Sequence, residues 1–272
     1  MKDLTKLEQK QLRHLMQERK ERLRLEREEE SDEDLNAEVE DVSLRESLIR
    51  QIAKNVSQLV IVGSFEAPQL DLPTLDRLLI LAELEELETV LCLNKIDLLQ
   101  NRGEGERIAR LYRKLNYAVL LTSARTGEGF AEFRHKLEQK HSVLAGACGV
   151  GKTALLRALD PAYEQKQSVR RLALTTGAGE NFSCTIHDYK LTHATEVTEV
   201  NGVDLHELVC VPHDEVQRYF AEFREPSRDC AEEGCLHIHE EDCGVMQAVA
   251  EGKIAKARHA SYLQVVKGMR AR

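Results

Sequence analysis

No stretch of this 272-residue chain approaches the run of apolar residues, roughly 18, that crosses a bilayer. No secretory leader is expected either, because the first twenty residues are rich in charge rather than a basic tip followed by an apolar core. Both absences place the protein in the cytoplasm, away from membranes. A surplus of basic charge is also lacking: the formal net charge is −9. A protein that grips a nucleic-acid backbone by bulk electrostatics needs the opposite sign, so any RNA contact must be local. There is no internal repeat. What remains, 42% apolar residues, is enough for one large domain plus a small one.

Charge is unevenly distributed. Residues 1–27 carry nine Lys/Arg against five Asp/Glu, whereas 28–41 carry nine acids and no base. Leu4, Leu7, Leu12, Leu15, Met16 and Leu23 recur at helical spacing among good helix formers, which predicts a charged, single-faced helix over 4–27. The acidic run 28–34 has nothing to bury and reads as a solvated linker, with order resuming near Val42.

From there apolar, β-branched runs at Gln58–Gly63, Thr89–Leu93, Tyr117–Leu121 and Val143–Gly146 alternate with helical stretches at 73–88, 104–115 and 128–140. Parallel strands need crossover helices, so the alternation predicts an α/β fold with a parallel sheet covered on both faces. A helix over 152–159 and a strand pair, Ser183–Leu191 with Thr195–Val200, follow. The remainder predicts helices at 214–224, 243–251 and 253–268. Domain boundaries therefore fall at 1–41, 42–208 and 209–272.

Two loops carry chemistry. Gly146-Ala147-Cys148-Gly149-Val150-Gly151-Lys152-Thr153 fits the P-loop pattern, in which glycines let backbone N–H groups curl toward a phosphate at the mouth of a helix. Lys152 is the point charge for the β- and γ-phosphates, and the Thr153 hydroxyl a Mg²⁺ ligand. Asn94-Lys95-Ile96-Asp97, at the end of a strand where α/β sheets bind ligands, matches a guanine-reading loop. There Asp97 accepts the guanine N1–H and N2–H, Asn94 buttresses the loop, and Lys95 lays its stem over the base. Ser123-Ala124 fits the third guanine element, whose backbone N–H meets the base oxygen, and disfavours an ATPase. The order is reversed, since the guanine loop precedes the phosphate loop.

Of seven cysteines, Cys92, Cys148, Cys184 and Cys210 are scattered and expected to stay reduced. Cys230, Cys235, His237 and Cys243 supply three thiolates and an imidazole within fourteen residues, a set that closes a tetrahedral structural Zn²⁺ site. His239 is the neighbouring alternative to His237.

The reversed order, Gly-x-x-Gly-Val-Gly-Lys-Thr, Asn-Lys-Ile-Asp and Cys-x4-Cys-x-His-x5-Cys together resemble the RsgA/YjeQ family of circularly permuted GTPases over roughly 48–272. Asn55 through Val62, Asp76-Arg77 and the ending from Ile254 to Tyr262-Leu263 add to it. The resemblance implies a permuted G domain, a C-terminal helical zinc domain, Mg²⁺ with GTP or GDP, and a monomer acting on the small ribosomal subunit and its rRNA. It also implies hydrolysis stimulated by that subunit.

Three departures stand out. The family's opening OB-fold of about seventy or more residues has no counterpart among the 57 residues before the first strand, so no barrel is expected. The switch segment Gly-Arg-His-Thr-Thr is replaced by Gly179-Glu180-Asn181-Phe182-Ser183, with Thr175-Thr176-Gly177 as a substitute. The Asp-x-Pro-Gly segment becomes Glu199-Val200-Asn201-Gly202. These changes fall on γ-phosphate sensing, not on base or β-phosphate binding. Two functions follow: a GTPase whose hydrolysis is slow or partner-dependent, or a hydrolysis-deficient, nucleotide-stabilised scaffold that recruits a partner through the 4–27 helix.

Overall fold

The computed structural model describes residues 47–176 and 180–269. The helix expected over 4–27, the acidic run, and residues 177–179, which include Gly177 of the substitute and Gly179 of the altered switch segment, lie outside them. Strands β1 (Gln58–Ser64), β2 (Glu88–Asn94), β3 (Ala118–Leu121) and β4 (His141–Ala145) form where the apolar runs predict. They pair in parallel in the order β3-β2-β1-β4. Every residue of β1 is buried, as befits a central parallel strand covered on both faces.

The expected strand pair also forms. Strands β6 (Asn181–Thr192) and β7 (Thr195–Asn201) are antiparallel, and β7 joins β4 in parallel. The sheet is therefore mixed rather than wholly parallel. One strand has no counterpart in the expected pattern. β5 (Gln167–Thr175) pairs antiparallel with β6 from Gln167 opposite Tyr189 to Thr175 opposite Asn181, and forms the sheet edge. Of its residues only Leu174 is buried. The strand is held by its backbone ladder rather than by a hydrophobic face, which is why periodicity misses it.

Helices cover both faces. Val60, Val62, Val90, Cys92, Leu120 and Leu144 share one cluster with Phe133 and Leu137 of α4 (Phe130–Leu137), Leu155 and Leu159 of α5 (Lys152–Leu159), and Tyr163 of α6 (Tyr163–Lys166). Burying side chains of this size contributes about 1.5–3 kcal/mol each. Gly63 meets Leu75 of α2 (Leu72–Leu84) on the opposite face. Helix α2 starts where Asp71 accepts from the Thr74 N–H at 3.1 Å, with Pro73 in its first turn. It ends at Leu84, short of the expected 88, because β2 begins at Glu88. The same side of the sheet carries α3 (Arg102–Arg113), and α1 (Leu48–Ile52) precedes β1.

The helix expected over 214–224 is replaced by two 3₁₀ turns, Val216–Tyr219 and Ala221–Phe223. Phe220 leaves helical geometry at φ −101°, ψ 87°. That break lets Phe220 and Phe223 both pack on Tyr262, with ring centroids 5.2 and 4.9 Å away. Helices α7 (Gly244–Ala250) and α8 (Lys256–Gly268) form close to expectation. Helix α8 docks on α2 through a buried polar cluster. Arg258, 2% exposed, bonds Asp76, and its Nε meets Glu222 at 2.6 Å. Ser261 and Tyr112 also donate to Asp76, the tyrosine at 2.8 Å.

Candidate nucleotide site and metal centre

The guanine and phosphate loops leave the carboxyl ends of β2 and β4, which flank β1. That is where ligands bind in open α/β sheets. Gly146 lies at φ 148°, and a Cβ on it would fall 2.1 Å from the Val62 carbonyl oxygen, so only glycine lets the loop turn off β4 here. Lys152, at the start of α5, is 8% exposed, and its ammonium donates to the carbonyls of Gly146 at 2.7 Å and Ala147 at 3.2 Å. Burial pushes its pKa down, while Glu199 and Asp204 oppose that shift. Cys148 is the exposed crest of the loop.

Asn94 ties the two loops together. Buried to 1% exposure, it donates through Nδ2 to the Val150 carbonyl at 3.0 Å. Its Oδ1 accepts from the Ala124 N–H at 3.2 Å and the Thr122 hydroxyl at 3.4 Å. Lys95, in the left-handed region at φ 61°, reaches across and donates to Gly149 O at 2.7 Å and to Ala67 O. Ile96 is buried behind the loop. Asp97 accepts from the Ser123 hydroxyl at 2.5 Å and from Arg125 Nε at 2.8 Å. The Ser123 bond, with help from Arg125, holds the Asp97 carboxyl below its ordinary value. Every residue expected in the guanine and phosphate loops thus converges on one end of the sheet.

A cleft of about 340 Å³ opens beside Lys152 and Thr153 and is also lined by Arg157, Glu199 and Asp204. Within it the Thr153 hydroxyl donates to Glu199 Oε1 at 2.5 Å. The Tyr163 hydroxyl donates to Glu199 Oε2 at 3.2 Å. Burial, with Glu199 beside it, pushes the Tyr163 phenol well up, so it stays a donor. Among the described residues of the altered switch segment, Glu180 through Ser183, none lines this cleft. Asn181 to Ser183 open β6, and Thr175 is held by the Gln51 amide at 2.8 and 2.9 Å.

The four expected metal ligands also meet. One donor atom from each of Cys230, Cys235, His237 and Cys243 lies within 4.8 Å of the others. Cys230 Sγ is 3.9 Å from Cys243 Sγ, and His237 Nδ1 is 3.6 and 3.4 Å from those two sulfurs. A tetrahedral zinc ion with ordinary bond lengths needs about 3.8 Å between sulfurs and about 3.6 Å from sulfur to nitrogen. The residues fit. His239 is exposed and outside the cluster.

Glu240 is the residue that sequence reasoning missed. Its carboxylate accepts from the N–H groups of Leu236 at 2.6 Å, Ile238 at 2.7 Å and His239 at 3.0 Å, wrapping the loop around His237. Burial alone works against its charge, but those N–H groups prevail and hold its pKa below the ordinary value. A carboxylate in an acidic Cys/His loop has no sequence signal that separates it from its neighbours. Tyr163, likewise, is an ordinary aromatic until the fold brings it to Glu199.

Similarity to known proteins agrees with this arrangement. The family described as RsgA GTPase matches residues 37–206. The small ribosomal subunit biogenesis GTPase RsgA of Caldanaerobacter subterraneus is 34% identical over 223 residues, 82% of this chain and 74% of that one. The same-named protein of Sodalis glossinidius is 35% identical over 81% of this chain, which spans 64% of it, just under two thirds. Among solved structures, YjeQ from Thermotoga maritima superposes with a TM-score of 0.64 at 31% identity, over 80% of this chain and 73% of that one. YloQ, a circularly permuted GTPase, gives 0.62 at 28% identity, over 84% and 74%. With the reversed loops converging on one sheet end and the family match covering more than half of the sequence, the chain belongs to the RsgA GTPase family.

Proposed function

We propose that the protein binds GTP and GDP across the two loops and hydrolyses GTP slowly, or only with a partner. One observation carries this: Asn94 bonds Val150 of the phosphate loop and Ala124 of the third guanine element at once. In this reading Asp97 recognises guanine, Lys95 covers the base, and Ser123 and Ala124 wall its oxygen edge. The backbone of Gly146 through Gly151 cradles the phosphates, and Lys152 neutralises them. The 2.5 Å pair of Thr153 and Glu199 offers hard oxygens suited to Mg²⁺. When bound, that ion neutralises charge on the β- and γ-phosphates.

The Cys₃His cluster is assigned a structural zinc, and 209–272 a zinc-bearing module behind a G domain over 42–208. The relatives are named for biogenesis of the small ribosomal subunit, and we extend that partner, with its rRNA, to this chain as a cytoplasmic monomer. The partner requirement follows from the switch segment. Groups that position water and spread transition-state charge account for several orders of magnitude in rate, and residues 180–183 contribute none to the cleft.

The test is GTP turnover with and without small ribosomal subunits, after nucleotide binding has been measured by titration. Subunit-stimulated turnover is expected. Tight binding of GTP and GDP alike without turnover would establish the second reading, a nucleotide-stabilised scaffold. The complete β5–β6 pairing favours that reading, because it fixes the start of β6 as strand.

A further inference from the structure

We propose that Tyr163 is a positioning residue for the divalent cation: its hydroxyl fixes the Glu199 carboxylate in the orientation that faces Thr153. The inference rests on the nucleotide reading above and adds a residue that neither motif contains. Glutamate is one methylene longer than aspartate, so its carboxylate has an additional torsion to immobilise. Here each oxygen has its own donor, Thr153 on Oε1 at 2.5 Å and Tyr163 on Oε2 at 3.2 Å. Glu199 is 1% exposed, and so is Tyr163; neither side chain has room to swing away.

The tyrosine is itself braced. It is the first residue of α6, the short helix between α5 and β5. Its ring meets that of Tyr189 edge-on, with centroids 5.0 Å apart and planes inclined at 65°. Tyr189 bonds Asp160, which Lys166 also holds at 2.6 Å. What reaches Tyr163 is the Tyr189 ring, not its hydroxyl. Tyr163, so braced, orients a group facing the cation from the side of the protein, as outer-shell partners orient metal ligands.

The experiment measures GDP affinity in EDTA and in excess Mg²⁺ for wild type, Tyr163→Phe, Tyr189→Phe, Glu199→Gln and the Tyr163→Phe/Glu199→Gln double variant. Removing an outer-shell partner costs about tenfold or more in metal affinity. Tyr163→Phe is therefore expected to bind GDP normally in EDTA while its gain from Mg²⁺ falls about tenfold. Tyr189→Phe, which keeps the ring packed on Tyr163 and loses only the bond to Asp160, keeps the wild-type gain. In the Glu199→Gln background the tyrosine change adds nothing. An unchanged gain in Tyr163→Phe, an equal loss in Tyr189→Phe, or a further loss in the double variant would overturn the proposal. Wild type that binds no GDP in either condition would instead sink the nucleotide reading beneath it.

Discussion

Gly151 and Asn94 approach so closely that a Cβ on the glycine would lie 2.4 Å from Asn94 Nδ2. The amide cannot retreat, because it is held by Val150 on one side and by Ala124 and Thr122 on the other. Gly151 also sits at φ 100°, where a side chain is strained regardless of space. Gly151→Ala should therefore abolish GDP binding and cost about 1–3 kcal/mol of stability, read by nucleotide titration and denaturant unfolding. Wild-type affinity in this variant would show that the two loops do not act as one unit.

Asp97→Asn should exchange base preference. In the proposed site the carboxylate would accept two N–H groups from guanine, whereas an amide can donate to the carbonyl that xanthine carries instead. Losing a charge-assisted bond worth about 1.5–3 kcal/mol weakens GDP roughly 10- to 100-fold, and XDP should gain. Competition binding of the two nucleotides checks it; an unaltered preference for GDP removes Asp97 from the base site.

Glu240→Gln should loosen the metal loop. Because the folded carboxyl has a pKa below its unfolded value, near 4.3, its contribution is fully present above about that pH and disappears as pH falls through the folded value. The variant should lose about 1.5–3 kcal/mol at neutral pH and converge with wild type in strong acid. Melting curves across pH, with zinc counted before and after chelation, test this. Chelation should lower wild-type stability sharply, and less than one zinc per chain beforehand would remove the site.

Arg258→Ala leaves the Asp76 and Glu222 carboxylates buried without their counter-ion. Breaking a buried pair in this way costs about 3–5 kcal/mol. Unfolding in denaturant should show a loss of that size. A change below about 1 kcal/mol would mean the cluster is solvated and behaves like a surface pair.

The loops were legible because their chemistry is local: a phosphate cradle or a guanine reader needs particular residues within four to eight positions, at the end of a strand. The parallel core was legible because β1, β2 and β4 each centre on an apolar run buried on both faces. β5 was not, since Val169-Arg170-Arg171 breaks any alternation, only Leu174 is buried, and its partner strand decides its conformation. Helix propensity over 214–224 lost to the packing of Phe220 and Phe223 on Tyr262. The bond from Arg258 to Asp76 spans 182 residues, and that from Tyr163 to Glu199 spans 36, so neither pairing could be read from spacing.

The strand order also bears on synthesis. β1, β2 and β3 leave the ribosome first, yet β1 lies between β2 and β4, and its partner Ser142 is made 84 residues after Gln58. Until then one edge of a strand that the fold buries along its whole length is unpaired, a template for any other chain with a free edge. Val150, the anchor for Asn94, follows later still. A nascent chain thus carries its loop at 94–97, with Thr122 through Arg125 to hold one side of it, before Val150 exists to tie it to the phosphate loop, and its exposure to misassembly ends only when β4 slides in beside β1.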